Sequence, residues 1–284
     1  MNISSGSSSL TYRGRSLDMS SPHVMGILNA TPDSFSDGGE FVTVQKAIDR
    51  IGTMLDEGAA IIDIGGESTR PGAEPVSSAE EMNRVIPIFE KAVSLFPEAI
   101  FSADTRKPEV AEQALKTGVH IINDVSGLQE PRLAELCSSY GAGYILMHTK
   151  GDPRTMQKNP VYEDVILEIT DFFADRLQVL KKAGVLSVVI DPGIGFGKTL
   201  KHNLQIIAQL QNFTTFGYPV LMGASRKSMI GRLLESRPAG DRLAGTLAVH
   251  YHSLIKGAKI LRVHDVKEAA DSIRVFNALR SVEE

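Results

Sequence analysis

From residue 24 onward, short apolar runs alternate with longer amphipathic segments. The runs cover residues 24–28, 61–64, 100–103, 120–122, 144–147, 188–190, 219–222 and 259–263. They are rich in Ile, Val and Leu and lack clean alternation. Strands of a parallel sheet covered on both faces read this way, because neither side of the strand meets water. Helical periodicity fills the gaps, over roughly 43–58, 78–95, 107–117, 131–141, 162–183, 201–212, 226–255 and 265–281, the 226–255 stretch breaking near Pro238 and Gly240. Thr43, Ser77 or Ser78, and Asp241 are candidate N-caps, and Gly58, Gly118, Gly141, Gly184 and Gly257 follow helix ends, where a left-handed residue is wanted. Before all this, residues 10–19 read as a hairpin turning near Gly14, preceded by a Ser/Gly-rich tail expected to fray.

Eight apolar runs alternating with eight helical segments predict a (β/α)8 TIM barrel of the α/β class with a short N-terminal β-hairpin. A doubly wound open sheet is the competing arrangement. Residues 1–20 are then tail and hairpin, and 21–284 a single barrel domain. The barrel gains weight because every run ends in polar residues: Asn29, Asp63 with Glu67, Asp104, Asn123 with Asp124, His148, Asp191, Ser225 with Arg226, and Arg262 with His264. The C-terminal strand ends of a barrel converge on one face, where active sites form. Loop polarity alone accounts poorly for carboxylates, amides, Arg and His at all of these edges.

Composition narrows the partners. The chain has 284 residues, suited to one large domain, and 30 Lys+Arg against 34 Asp+Glu, so no basic footprint for nucleic acid is expected. The single cysteine, Cys137, sits in a helical pattern and reads as a small buried residue. No apolar run approaches the roughly 18 residues that cross a bilayer, and the first residues lack a signal-peptide pattern, so a cytoplasmic, reduced setting without membrane contact is the expectation.

Several stretches carry candidate chemistry. Residues 29–39 form a turn-rich loop with one aromatic, Phe35, after Asn29; residues 65–72 are glycine-rich, and Arg70 there offers a phosphate-matching fork. Asp104 and Asn123 end consecutive strands and should be neighbours, a carboxylate beside an amide that can grip a flat heterocycle. His148 reads as structural. Residues 191–198 superficially resemble a phosphate loop, but the first required glycine would fall at Pro192. Asp191 is the better candidate there, as an acceptor for an amidine-like edge. Residues 223–231 bring Ser228 and Lys227 to a helix start that favours an anion. Arg262 and His264, two apart on a strand end, point to one side and suit a phosphate or pyrophosphate. His250 and His252, two apart on a helix, face different ways and make no metal pair. The groups sort by charge: Asp104, Asn123, Asp191 and Lys227 suit a donor-rich ring, while Asn29, Arg70, Arg262 and His264 suit a polyanion. The two ends of the pocket are expected to carry opposite signs.

The motifs at 29–39, 65–72, 191–198, 223–228 and 262–265 resemble those of the dihydropteroate synthases, in order and over nearly the whole chain, from about residue 22 to 281. The resemblance implies a transferase that condenses 6-hydroxymethyl-7,8-dihydropterin pyrophosphate with 4-aminobenzoate, giving 7,8-dihydropteroate and pyrophosphate in folate biosynthesis. It implies pterin contacts from Asp104, Asn123, Asp191 and Lys227, and pyrophosphate contacts from Asn29, Thr69, Arg70, Arg262 and His264. Aminobenzoate falls near Phe35, Thr69, Arg70, Pro71, Phe196, Lys227 and Ser228. The resemblance implies Mg2+ held through Asn29 and the pyrophosphate, as is usual for a hard cation on phosphates. It also implies that Asp104, Asp191, Lys227, Arg262 and His264 carry catalysis, through a dissociative, SN1-like step. The resemblance further implies a homodimer through late helices of the barrel, and sulfonamides as competitors. The alternatives are a corrinoid-linked pterin methyltransferase, which needs neither the 29–39 loop nor Arg262 and His264, and a non-catalytic pterin-binding paralogue, which should have lost Asn29, Lys227 or Arg262.

Overall fold

The eight apolar runs close on one another. A computed structural model describes residues 9–31, 40–68, 75–151 and 155–282. Its barrel strands are β3 (His23–Asn29), β4 (Ile61–Gly65), β5 (Ile100–Asp104), β6 (Ile121–Asp124), β7 (Gly143–Met147), β8 (Val188–Asp191), β9 (Val220–Met222) and β10 (Ala258–Val263). They are parallel and in sequence order, and β10 pairs back onto β3. Around them lie α1 (Glu40–Asp56), α2 (Ser78–Leu95), α3 (Pro108–Thr117), α4 (Arg132–Tyr140), α5 (Val165–Ala183), α6 (Leu200–Ala208), α7 (Gln211–Thr214), α8 (Ser228–Leu233), α9 (Leu243–Ile255) and α10 (Val266–Arg280). The main core fills the layer between strands and helices, with Ile62, Phe89, Phe101, Leu146, Phe173 and Ile190 all buried.

The hairpin of β1 (Ser9–Tyr12) and β2 (Arg15–Asp18) turns through Arg13 and Gly14, both with positive φ (49° and 86°). Two left-handed residues in a two-residue loop match the twist of the flanking strands. The hairpin closes the barrel floor. Leu10, Tyr12 and Met19 form one cluster with Met25, Ile61, Ile100, Ile121, Ile145, Val189, Leu221 and Ile260 from the strands. Arg13 locks it down, donating to the carbonyls of Leu115 at 2.6 Å and Val119 at 2.8 Å. With the N-terminal mouth plugged by apolar side chains, the opposite, C-terminal face is left for polar groups.

Local details follow the sequence with some corrections. Ser77 caps α2 through its Oγ, and the five helix-ending glycines all have positive φ. Thr43 is not a cap: α1 begins before it, at Glu40. Asp241 lies in a 3-10 turn, and Arg242 precedes α9. The 201–212 segment breaks into α6 and α7, and 226–255 into α8, the 3-10 turn and α9. Asn123 and Asp124 belong to β6 rather than to the loop after it, so both are held by the barrel wall.

Candidate active site

Register delivers the first cluster. Gly65 of β4 lies opposite Asp104 of β5, and Asp104 opposite Asn123 of β6. Arg262 of β10 reaches across the barrel to this side. Its Nε donates to Asp63 Oδ2 at 2.6 Å and one terminal nitrogen donates to Asp104 Oδ2 at 2.5 Å. Asn123 Nδ2 donates to the same Asp63 oxygen at 2.9 Å, leaving the amide oxygen as its free acceptor. Asp63 is fully buried. Burial raises the Asp104 carboxyl to about 7, and Asp63, Glu81 and Asp124 add to the rise against the pull of Arg262. Burial alone would weaken the charge on Arg262, but Asp63 and Asp104 outweigh it and hold the guanidinium more firmly protonated than usual.

This arrangement corrects the expected segregation of charge. Arg262, assigned to the polyanion end, is ion-paired to a carboxylate assigned to the ring end. Two carboxylates on neighbouring strands and one guanidinium from β10 are too close, and too dry, to stay apart.

The opposite wall is the loop after β8. Asp191 closes the strand and its Oδ1 accepts from the Gly193 N–H at 2.7 Å. Burial raises the Asp191 carboxyl, opposed chiefly by Lys227. Glycine is required in this loop: Gly193 and Gly197 have positive φ, and a Cβ would collide with the carbonyl oxygens of His148 and Lys150 respectively. Lys198 bolts the loop from behind. Its Nζ lies 2.9 Å from His148 Nδ1 and donates to the carbonyls of His148 at 3.3 Å and Phe196 at 2.9 Å. His148 is thus structural, as its sequence context implied, and burial holds its imidazole near a pKa of about 2. In front of the loop, the Lys227 ammonium sits 4.4 Å from the centre of the Phe196 ring and donates to the Ile194 carbonyl. Burial lowers Lys227 to about 8, resisted by Asp191.

At the rim, Asn29 ends β3 beside Gly65 and is half-buried. His264 follows β10. Ser225 Oγ accepts from the His264 backbone N–H at 3.2 Å and lies 3.0 Å from its Nδ1. Ser228 is exposed at the first position of α8. Its neighbour Arg226 is tied instead to Asp265. Phe35, Thr69, Arg70 and Pro71 lie outside the described residues. Glu67, after β4, accepts from the Val76 N–H at 3.1 Å and from Lys107 at 3.2 Å.

Sequence reasoning placed Asp63 and Ser225 among the polar strand ends without assigning either a partner, and it gave no role to Lys198. Asp63 had a signal: a lone carboxylate inside the otherwise aliphatic run 61–64. Lys198 had none, since a lysine ending a glycine-rich loop ordinarily faces water.

A family model for pterin binding enzymes matches residues 25–264. Dihydropteroate synthase of Escherichia coli strain K12 is 48% identical over 277 residues, covering 97% of this chain and 98% of that protein. The chain belongs to the dihydropteroate synthase family. The relative from Haemophilus influenzae is 45% identical over 95% of this chain. Among solved structures, the Yersinia pestis dihydropteroate synthase with a sulfonamide drug superposes with a TM-score of 0.90 at 44% identity, covering 96% of this chain and 99% of that one. The Xanthomonas albilineans dihydropteroate synthase with 4-aminobenzoic acid also gives 0.90, at 41% identity and 96% and 98% coverage. The chain is therefore a transferase of this family, and no helix among the described residues is long and apolar enough to cross a membrane.

The donor set bears on a metal. Among the described residues, no group of three His, Cys, Asp or Glu side chains is placed to hold an ion. The Asn29 amide oxygen at the pocket rim is a hard, neutral donor. It fits a magnesium ion that takes most of its ligands from phosphate and water.

Proposed function

We propose that this chain joins 6-hydroxymethyl-7,8-dihydropterin pyrophosphate to 4-aminobenzoate, forming 7,8-dihydropteroate and releasing pyrophosphate, by a dissociative step. The observation that carries the reading is the mutual proximity of Asp104, Asp191, Lys227 and Arg262, each close enough to shift another's charge. Asp191 and the Asn123 amide oxygen accept from the ring's N–H edge, while Lys227 donates to a ring acceptor. Arg262 and His264 face the pyrophosphate. The C–O bond breaks first, and its electron pair leaves with the pyrophosphate, whose charge Arg262 and His264 offset. The methylene cation spreads into the ring, where the buried Asp191 carboxylate favours it. The aniline nitrogen of aminobenzoate, lying near Phe196 with its carboxylate toward Ser228, attacks and loses its proton to solvent. Magnesium would be held by Asn29 and the pyrophosphate, where it supplies Lewis-acid stabilisation of the leaving oxygen.

In the same reading, residues 21–284 are one pterin-binding unit with the hairpin as its floor. The chain acts in the cytoplasm as a homodimer, and the exposed apolar side chains Ile255, Val275 and Leu279 of α9 and α10 support an interface there. The test of the step is pyrophosphate release without aminobenzoate, with the pterin recovered as its hydrolysed alcohol. A strict requirement for bound aminobenzoate before any C–O cleavage would make the step concerted. A sulfonamide should compete against aminobenzoate alone.

A further inference from the structure

Two buried carboxylates share one cation at the bottom of the site. Asp63 and Asp104 each accept from Arg262 through a single oxygen, Oδ2. Among the described residues, Oδ1 of each has no hydrogen-bond partner. The two carboxylates are not equivalent. Asp63 is fully buried and also holds the Asn123 amide, so it keeps a donor whatever Arg262 does. Asp104 has Arg262 alone, and its side chain is the more exposed, at 10%.

We propose that Arg262 is a shared cation: a polyanion entering the site draws its terminal nitrogens away from Asp104, and Asp104 takes up a proton from solvent. This rests on the reading of Arg262 as a pyrophosphate contact and adds a proton to it. The Nε bond to Asp63 stays and acts as the pivot. Once the guanidinium turns, the groups facing Asp104 are mostly anionic: Asp63 of β4, Asp124 of β6 and Glu81 of α2, with Lys227 the cation on the far side. Glu81 is itself tied to Lys107 and Asp124 to Tyr144, so neither cation nor hydroxyl is free to replace Arg262. A dry carboxylate facing like charges cannot remain ionised. The proton comes from water and none is taken from the ligand. A protonated Asp104 then offers the ring one donor and one acceptor, where the ion-paired form offers acceptors only.

The sign follows from linkage. Asp104 sits near 7 before the ligand arrives and higher after it. Below about 7 the proton is present in both states and pH has no effect through this group; above it the bound state holds the extra proton, so affinity falls as pH rises. The probe is inorganic pyrophosphate without added metal, titrated calorimetrically into wild type and Asp104→Asn from about pH 7 to about pH 9. The ligand's own ionisation is common to both proteins. Wild-type affinity should fall faster with pH, by up to about tenfold more per unit, the limit for one linked proton. At the alkaline end Asp104→Asn should bind pyrophosphate more tightly than wild type, because its Arg262 is already released. A carboxylate that merely shaped the site would give the opposite, a weaker variant.

Parallel pH profiles with binding intact would overturn the shared-cation proposal. Failure of wild type to bind pyrophosphate at all would overturn the polyanion reading beneath it. Should the variant fail to fold, wild-type titrations in two buffers of different ionisation enthalpy decide: net proton uptake beyond that of the ligand supports the proposal, and none refutes it.

Discussion

Replacing Asp191 by Asn should weaken binding of a pterin ring that lacks the diphosphate, with little cost to the fold. Asp191 is nearly buried, at 6% exposure, and one of its oxygens is already used: Oδ1 accepts from the Gly193 N–H at 2.7 Å. The amide oxygen of Asn can keep that bond, so the loop that carries Phe196 should hold its course. The change then falls on the second oxygen, which becomes an NH2. An acceptor for the ring's N–H edge is replaced by a donor facing a donor, and the charge is lost. A hydrogen bond to a charged group is worth about 1.5–3 kcal/mol. At 1.4 kcal/mol per decade, affinity should drop about ten- to 150-fold. Isothermal titration with the free pterin measures this, and thermal unfolding of the variant controls for the fold. Affinity within about twofold of wild type, with a folded variant, would refute the assignment of Asp191 to the ring.

Three further outcomes are expected. Arg262→Ala should cut turnover by about 10²–10³-fold, the scale for removing a preorganised donor to developing charge, while free pterin still binds; loss of pterin binding instead would mean that the polyanion end is misassigned. Asp63→Ala should lower the unfolding free energy by about 3–5 kcal/mol in urea denaturation, since it strands the Arg262 Nε and the Asn123 amide in a dry site; an unchanged midpoint would contradict these two bonds. The Lys227 ammonium is present below about 8, so kcat/KM should fall as pH rises through that value, and Lys227→Arg should move that limb upward; an unmoved limb would assign it to another group.

The strands, the hairpin turn and the neighbouring of Asp104 and Asn123 could be read from the chain because each rests on local chemistry. Aliphatic runs without alternation mark doubly covered strands, and Gly14 marks the turn. Consecutive strands of a barrel must pair, so their ends must meet. What the chain hid depends on contacts across the barrel. Arg262 and Asp63 are 199 positions apart and joined at 2.6 Å, and no local pattern announces that pairing. The same holds for Lys198, which looks like a solvent-facing lysine until β7 and the loop after β8 enclose it. The break after α6 was hidden for another reason: apolar spacing continues through it, and tertiary packing sets where the hydrogen-bond ladder stops, whereas the break after α8 was announced by Pro238 and Gly240.

The central claim is that one pocket holds a pterin pyrophosphate and an aminobenzoate and joins them. The most direct measurement supplies both substrates with magnesium and follows pyrophosphate and 7,8-dihydropteroate together. The account predicts that both appear in equal amounts, and that dihydropteroate vanishes when aminobenzoate is omitted. Binding of both substrates without any dihydropteroate formed would contradict it.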